Sequence, residues 1–181
     1  MGYQKGLGTG DPGAIVELSK NPTMQIVGLV IDSVDTIMHG MRLGAAGMHS
    51  MVRYWAETGY LAQSLAALHD AGFTIWLTAD HGNVEAMGIG RPGEKAVADL
   101  RGERARVYPS AELRTLTRTR FATGDEWLPV GLPKGYFPLL AQGRTAFAQN
   151  GEVVVAHGGA AIEEVIVPLI QIEQIGRASC R

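Results

Sequence analysis

The sequence predicts an α/β domain built around a mainly parallel β-sheet. Met24–Ile31 is a short apolar run of the kind found in strands that are buried on both faces of a sheet. Thr58–Ala71 carries leucines at helical spacing, and Phe73–Thr78 follows it as a second apolar run. Because strand, helix and strand succeed one another, we expect a right-handed βαβ unit with its two strands parallel in one sheet.

The composition indicates one globular domain or one large piece of a domain. Of the 181 residues, 46% are hydrophobic and 19% are charged, which excludes a disordered chain. The net charge of -2 provides no overall basic field that would attract polyanions. No apolar run approaches the roughly 20 residues of a membrane-spanning helix, and the first residues lack the pattern of a signal peptide. We therefore expect a cytoplasmic protein without a membrane partner.

The chain divides by composition into three segments. Residues 1–23 contain five glycines and two prolines and are expected to form a flexible or truncated lead without a strand. Residues 24–172 are expected to hold the folded domain, in which residues 88–134 lose the apolar periodicity and form an insertion over the site. Residues 173–181 are predicted to be a non-native tail, because Ile175–Arg181 resembles the translation of a sequencing adapter.

Three further elements are predicted near the carboxyl end of the folded segment. Tyr136–Gln149 is predicted to be a helix, and Glu152–Ala156 is a valine-rich strand. Ile166–Ile172 is predicted to be another strand. Pro168 lacks a backbone N–H, which favours an edge position for it.

Three segments place potential metal ligands just beyond predicted strands, where open α/β sheets bind their ligands. Asp35 and His39 are one helical turn apart, Asp80 and His81 leave the second strand together, and His157 follows the valine-rich strand. The sequence has one cysteine, so a cysteine-built zinc site is excluded. Taken singly, each motif also fits an ordinary role: a helix-capping aspartate, a loop histidine or a simple turn.

Taken together, the motifs resemble the alkaline phosphatase-like superfamily, and the PglZ domains of bacterial anti-phage systems most closely. The resemblance is carried by Val34–Met41, by Thr78–Glu85 and by His157–Pro168, which reads His-Gly-Gly-Ala-Ala-Ile-Glu-Glu-Val-Ile-Val-Pro. It extends over roughly Met24–Ile172. The implied fold is a three-layer sandwich with a mainly parallel central sheet, present here as a partial domain.

The resemblance also implies a site with two divalent metal ions. Asp35, His39 and His157 would hold one ion, and Asp80 and His81 would contribute to the other. Mixed aspartate and histidine ligands suit zinc or manganese better than magnesium. Such a site serves phosphoester hydrolysis of the phosphatase or phosphodiesterase type. The two glutamates of the last motif are expected to support the turn that follows His157.

The family's first aspartate ligand and its Ser or Thr nucleophile are not visible in the sequence. Thr9, Ser19 and Thr23 are not preceded by an apolar strand that ends in aspartate, so none of them is assigned as the nucleophile. The parent protein is therefore predicted to be a metal-dependent phosphoester hydrolase, and this chain alone is predicted to be inactive. A relative of cofactor-independent phosphoglycerate mutases is the alternative enzyme. A non-catalytic interaction module of a defence complex is the alternative of another class.

An arginine-rich stretch suggests where a substrate could bind. Arg101, Arg104 and Arg106 are candidate ligands for the phosphates of a phosphoester, a nucleotide or a nucleic acid. A solvated insertion balanced by Glu103 and Glu112 would need no such partner. Other proteins of a defence system are the expected macromolecular partners.

Overall fold

The computed structural model describes residues 1–39, 44–92, 99–101, 103–122, 124–128 and 130–173, with backbone alone for His39 and for residues 99–101. The predicted non-native tail lies, apart from Glu173, outside the described residues. The described residues form two compact units. The first comprises those of Met1–Ile37, His49–Ala79 and Pro168–Arg181, and the second those of Met38–Met48 and Asp80–Val167.

The described residues contain both helices and strands, so the protein is mixed α/β. The helices are α1 (Gly13–Ser19), α2 (Ser33–His39), α3 (Gly44–Glu57), α4 (Tyr60–Asp70), α5 (Ala111–Arg120) and α6 (Ile162–Val165). The strands are β1 (Gly2–Leu7), β2 (Val27–Ile31), β3 (Ile75–Thr78), β4 (Val84–Gly88), β5 (Asp99–Arg101), β6 (Ala105–Tyr108), β7 (Gly124–Glu126), β8 (Phe137–Ala141), β9 (Thr145–Ala146), β10 (Val153–Ala156) and β11 (Leu169–Ile172). No helix among the described residues is long and apolar enough to span a bilayer.

The first unit is built on two strand pairs and the helices that cover them. β1 and β2 are parallel and are connected through α1, while β3 and β11 are antiparallel. Ile15 of α1, Leu68 of α4 and Ile75 of β3 meet in one buried apolar cluster. The indole Nε1 of Trp55 in α3 donates to the carbonyl of Gly8 at 2.6 Å, which attaches α3 to the loop after β1. The core therefore depends on α4, as its leucine spacing predicted.

Three predictions about the first unit are wrong. The lead is not without a strand, because β1 forms there and pairs with β2. β2 is not buried on both faces, because Val30 is exposed while Leu29 packs on the core. The expected βαβ unit is not formed among the described residues, because β2 and β3 belong to separate strand pairs. Both strands line an apolar cavity of about 130 Å³ that Leu65 of α4 also borders.

The second unit contains two sheets in which antiparallel pairing predominates. One has the order β10-β4-β9 and the other the order β5-β6-β8-β7. Within the described residues β1–β2 and β4–β9 are the parallel pairs, so the mainly parallel central sheet of a three-layer sandwich stays a prediction. Residues 88–134 have weak apolar periodicity, yet they contain β5, β6, α5 and β7.

The predicted helix over Tyr136–Gln149 is wrong, because this segment forms β8 and β9. Pro138 has no N–H for a helical hydrogen bond, and Gly143 has a positive φ of 50° at the turn between the strands. Leu139 of β8 is fully buried beside Tyr108 and Phe147, and Leu113 of α5 packs on the same cluster. Apolar burial in a sheet thus decides the structure of this segment.

α5 begins with a polar cap. The Ser110 hydroxyl accepts from the backbone N–H of Leu113 at 3.4 Å. The pKa of Glu112 lies below its usual value, because its carboxylate accepts from its own backbone N–H and from Ser110. These contacts define the start of a helix that the sequence analysis did not predict.

We predict that Leu68→Ala destabilises the protein much more than Leu116→Ala. Leu68 is 8% exposed in the core of the first unit, whereas Leu116 is 56% exposed on α5. Truncating a buried leucine removes its apolar contacts and leaves a cavity, at a cost of about 2–5 kcal/mol. Urea unfolding followed by circular dichroism measures both variants, and equal losses would contradict the assignment of α4 to the core.

Candidate metal centre

His81 lies in the loop that connects β3 to β4. The carboxylate of Asp80 accepts from the backbone N–H of His81 at 3.1 Å, which fixes the start of this loop. The His81 Nδ1 atom lies 3.1 Å from the carbonyl oxygen of Gly82. Because a carbonyl oxygen only accepts, this contact requires the proton on Nδ1 and leaves the lone pair of Nε2 available to a metal ion.

His157 follows the last residue of β10 and is held through its backbone. Its carbonyl accepts from the N–H of Arg104 at 3.2 Å, and His157 also forms an isolated parallel bridge with Glu103. Glu103 has a φ of 64°, in the region that disfavours residues with a side chain. The carbonyl of Glu103 accepts from Phe147 N at 2.7 Å, so the strained residue is itself anchored.

The two imidazole rings are brought together by the pairing of their strands. β4 and β10 are antiparallel with Val84 opposite Ala156, so the residues before β4 and after β10 lie at one edge. The rings of His81 and His157 stack with centroids 3.9 Å apart and planes 9° apart. One ring nitrogen of each lies within 4.8 Å of the other. Because the lone pairs of imidazole lie in the ring plane, nearly parallel rings suit one ligand for each of two ions about 3.5–4 Å apart.

The turn after His157 is organised by one buried carboxylate. Oε1 of Glu164 accepts from Gly159 N and from Arg104 Nε, each at 2.8 Å, and Oε2 accepts from Ala161 N at 2.9 Å. Gly158 has a φ of 98°, which only glycine adopts readily. A Cβ on Gly159 would come within 2.8 Å of Arg104 and Glu164. The two glycines after His157 are therefore required by the chain path and by the ion pair. The expectation that both glutamates support this turn is confirmed for Glu164 alone, since the side chain of Glu163 pairs with Arg144.

The loop that carries His81 contacts α6, the short helix that contains Glu164. Gly82 N donates to the carbonyl of Glu164 at 2.9 Å. A Cβ on Gly82 would lie 1.9 Å from the carbonyl oxygen of Glu163, a backbone atom that cannot turn away. Both histidine loops are thus packed on α6, and Gly82 is needed for close approach rather than for a positive φ. The side chain of Glu163 makes an exposed ion pair with Arg144.

The structure brings some of the predicted ligands together in the second unit. His81 and His157 stack, and the carboxylate of Asp80 lies 3.9 Å from His81 Nε2 with its side chain 91% exposed. Asp35 is exposed in α2 and belongs to the first unit. His39 ends α2, and its side chain lies outside the described residues. The convergence of all five residues stays a prediction.

The arginines proposed to bind substrate have other partners. The side chains of Arg104 and Glu164 are 1% and 2% exposed and form an ion pair. Arg106 is equally buried and donates to Glu103 and to the carbonyls of Ala105 and Phe147. Burial in these contacts leaves the substrate role of Arg104 and Arg106 without support. The side chain of Arg101 lies outside the described residues.

Sequence reasoning missed the roles of Arg104 and Glu103 beside His157. Arg104 occurs in an arginine-rich stretch, where exposure to solvent or phosphate was the natural expectation. Glu103 precedes β6 and carries no local pattern that marks a positive φ. The Gly-Gly and Glu-Glu string after His157 indicated a supported turn, but nothing in it identified Arg104 as the partner of Glu164.

Comparison with known families identifies the family of this chain. The family model of the BREX system PglZ alkaline phosphatase-like domain matches residues 3–172. The chain belongs to the PglZ family. The match confirms the family inferred from the sequence motifs. It begins before Met24, so it includes β1 and α1 of the segment that was expected to be a lead. No curated protein matches this PglZ chain.

We predict that Gly82→Ala destabilises the protein and disturbs the histidine pair. The new Cβ would meet the Glu163 carbonyl at 1.9 Å, so β4 or α6 must shift, at a cost of about 1–3 kcal/mol. Gly28→Ala is the matched control, because its Cβ would meet the ring of exposed Tyr3 at 3.3 Å and the ring can move. Thermal unfolding compares the two. A Gly82→Ala protein as stable as Gly28→Ala would refute the packing of this loop on α6.

Proposed function

We propose that this PglZ domain binds divalent metal at His81 and His157 and serves the hydrolysis of a phosphoester. The stacked pair of imidazoles, held by backbone contacts at the ends of β4 and β10, is the observation that carries the proposal. Membership of an alkaline phosphatase-like family supports the reaction class. The family match also favours PglZ over the phosphoglycerate mutase alternative.

The donor set fits zinc or manganese. Two imidazoles and aspartate carboxylates are ligands that these ions accept, and the exposed carboxylate of Asp80 is accessible to an ion from solvent. In the proposed assignment His157 acts with Asp35 and His39, and His81 acts with Asp80. When bound, a pair of such ions would polarise a phosphoryl oxygen and lower the pKa of a hydroxyl or water nucleophile.

In this proposal, neighbouring residues of the protein orient the two histidine ligands. The contact of His81 Nδ1 with the Gly82 carbonyl selects the tautomer that presents Nε2 as a ligand. The backbone contacts of His157 with Glu103 and Arg104 set the position from which its ring projects. Fixing both rings before a ligand binds reduces the entropy lost on binding.

We assign none of Thr9, Ser19 and Thr23 as the nucleophile of the family. Thr9 follows β1, which ends at Leu7 in the segment that was expected to lack a strand. However, β1 ends with Gly6 and Leu7 and has no aspartate at its end. A hydroxyl without an adjacent base or metal ligand is a weak nucleophile. We therefore propose that these 181 residues lack turnover although they bind metal.

The substrate class follows from the same proposal. We propose a phosphoester, with a nucleotide or nucleic acid as the candidate parent molecule. Other proteins of the BREX system are the proposed partners, on the basis of the family. A cytoplasmic location stays a prediction from the sequence. The alternative is a non-catalytic module with a structural metal site. It would be supported if the chain binds metal but the parent protein does not hydrolyse phosphoesters.

We predict that His157→Ala weakens zinc binding by at least about tenfold, whereas His69→Ala leaves it unchanged. His157 would lose a direct metal–nitrogen bond, and even outer contacts of metal ligands are worth about 10–100-fold in affinity. His69 lies in the last turn of α4 and serves as the matched control. Calorimetric titration with zinc measures both variants. Equal affinities at the two positions would remove the basis for assigning the His-Gly-Gly motif to the metal.

We also predict that the chain hydrolyses neither p-nitrophenyl phosphate nor bis-p-nitrophenyl phosphate above background, with zinc or manganese supplied. Two-metal hydrolysis needs a positioned nucleophile, and its loss costs several orders of magnitude in rate. Release of p-nitrophenol measures turnover. Metal-dependent release that Asp80→Ala abolishes would show that a nucleophile is present in the chain or that water serves instead.

A further inference from the structure

Glu164 connects the two histidine loops. Through its carboxylate it accepts from Gly159 and Ala161 in the turn after His157. Through its carbonyl it accepts from Gly82, the residue after His81. A displacement of Glu164 would therefore be transmitted to both loops by direct hydrogen bonds.

Arg104 extends the connection to a different sheet of the second unit. Its backbone N–H donates to the His157 carbonyl, and its Nε donates to Glu164. Its Nη1 donates to the carbonyl of Thr145 in β9, and its own carbonyl accepts from Ala141 N of β8. The guanidinium and the backbone of one residue thus hold β8, β9, α6 and the His157 turn together.

We propose that Arg104 and Glu164 are positioning residues for the metal ligands His81 and His157. Gly82, the residue after His81, donates to the carbonyl of Glu164, and the carbonyl of His157 accepts from the backbone N–H of Arg104. Neither charged side chain is accessible to substrate, since their exposures are 1% and 2%. The inference rests on the proposed metal site, and it assigns the orientation of the imidazole pair to this ion pair.

The principal variant is Glu164→Gln, which keeps the size of the side chain. The carboxylate accepts three hydrogen bonds on two oxygens. An amide has one acceptor oxygen, so its NH₂ group must face one of the donors. Arg104→Lys is the second variant: it keeps the positive charge but loses the fork that reaches Glu164 and Thr145 together.

Two controls separate positioning from general stability. Glu163 lies in α6 beside Glu164, and Glu163→Gln alters its exposed ion pair with Arg144. Glu126→Gln weakens the Arg114–Glu126 pair at 2.9 Å, which ties α5 to β7 and does not contact the histidine loops. If the positioning role is real, a loss of stability in the second control will not be accompanied by a loss of metal affinity.

The test is titration of the whole chain with Co²⁺, followed by the visible absorption spectrum and by competition with a chelator. We expect Glu164→Gln and Arg104→Lys to lower the affinity by about 10–100-fold and to change the absorption spectrum, as when partners of metal ligands are removed. Both controls should keep the wild-type affinity and spectrum. Circular dichroism shows which variants are folded at the titration temperature.

The outcomes distinguish this inference from the proposed function. A wild-type chain that binds no Co²⁺ overturns the proposed metal site and the inference with it. A wild-type chain that binds Co²⁺, together with a folded Glu164→Gln variant of equal affinity and spectrum, overturns the positioning role alone. If Glu164→Gln does not fold, Arg104→Lys decides between the same two results.

Discussion

The buried ion pair between Arg104 and Glu164 is the interaction on which the candidate site depends. Both charges are removed from water, so each is tolerable only because the other neutralises it and because backbone groups use the remaining hydrogen-bonding capacity. Removing one partner of such a pair typically costs about 3–5 kcal/mol. The pair also dictates its surroundings: Gly159 must lack a side chain, since any Cβ would enter the space between the two charged groups.

The backbone positions of His81 and His157 depend on contacts with the residues around this ion pair. His157 forms a parallel β-bridge with Glu103, which has a strained positive φ. The carbonyl of Glu103 accepts from Phe147 N, and the next residue, Arg104, donates to the His157 carbonyl. His81 is held against α6 because Gly82 has no side chain. Backbone hydrogen bonds and close packing therefore fix the chain positions from which the two rings project.

The arginine-rich segment shows why charge alone does not indicate a binding surface. Arg104 and Arg106 are buried in and beside β6, and Arg114 of α5 pairs with Glu126. Each guanidinium satisfies carbonyls or carboxylates of the protein itself. In an alkaline phosphatase-like domain the natural expectation is that arginines bind phosphate. Here, the described contacts show these arginines paired with groups of the protein itself around the candidate site.

The sequence alone determined the elements whose signals are local. The leucine spacing of α4, the valine run of β10 and the motifs around His81 and His157 were all recognisable without coordinates, and the motifs also indicated the PglZ family. The tertiary structure decided what depends on distant partners. β8 and β9 form where a helix was predicted because Leu139 is buried against Tyr108 and Phe147. Arg104 is internal because Glu164, sixty positions later, neutralises it. Such a partner cannot be read from a local pattern, since burial of a charge depends on what the fold places beside it.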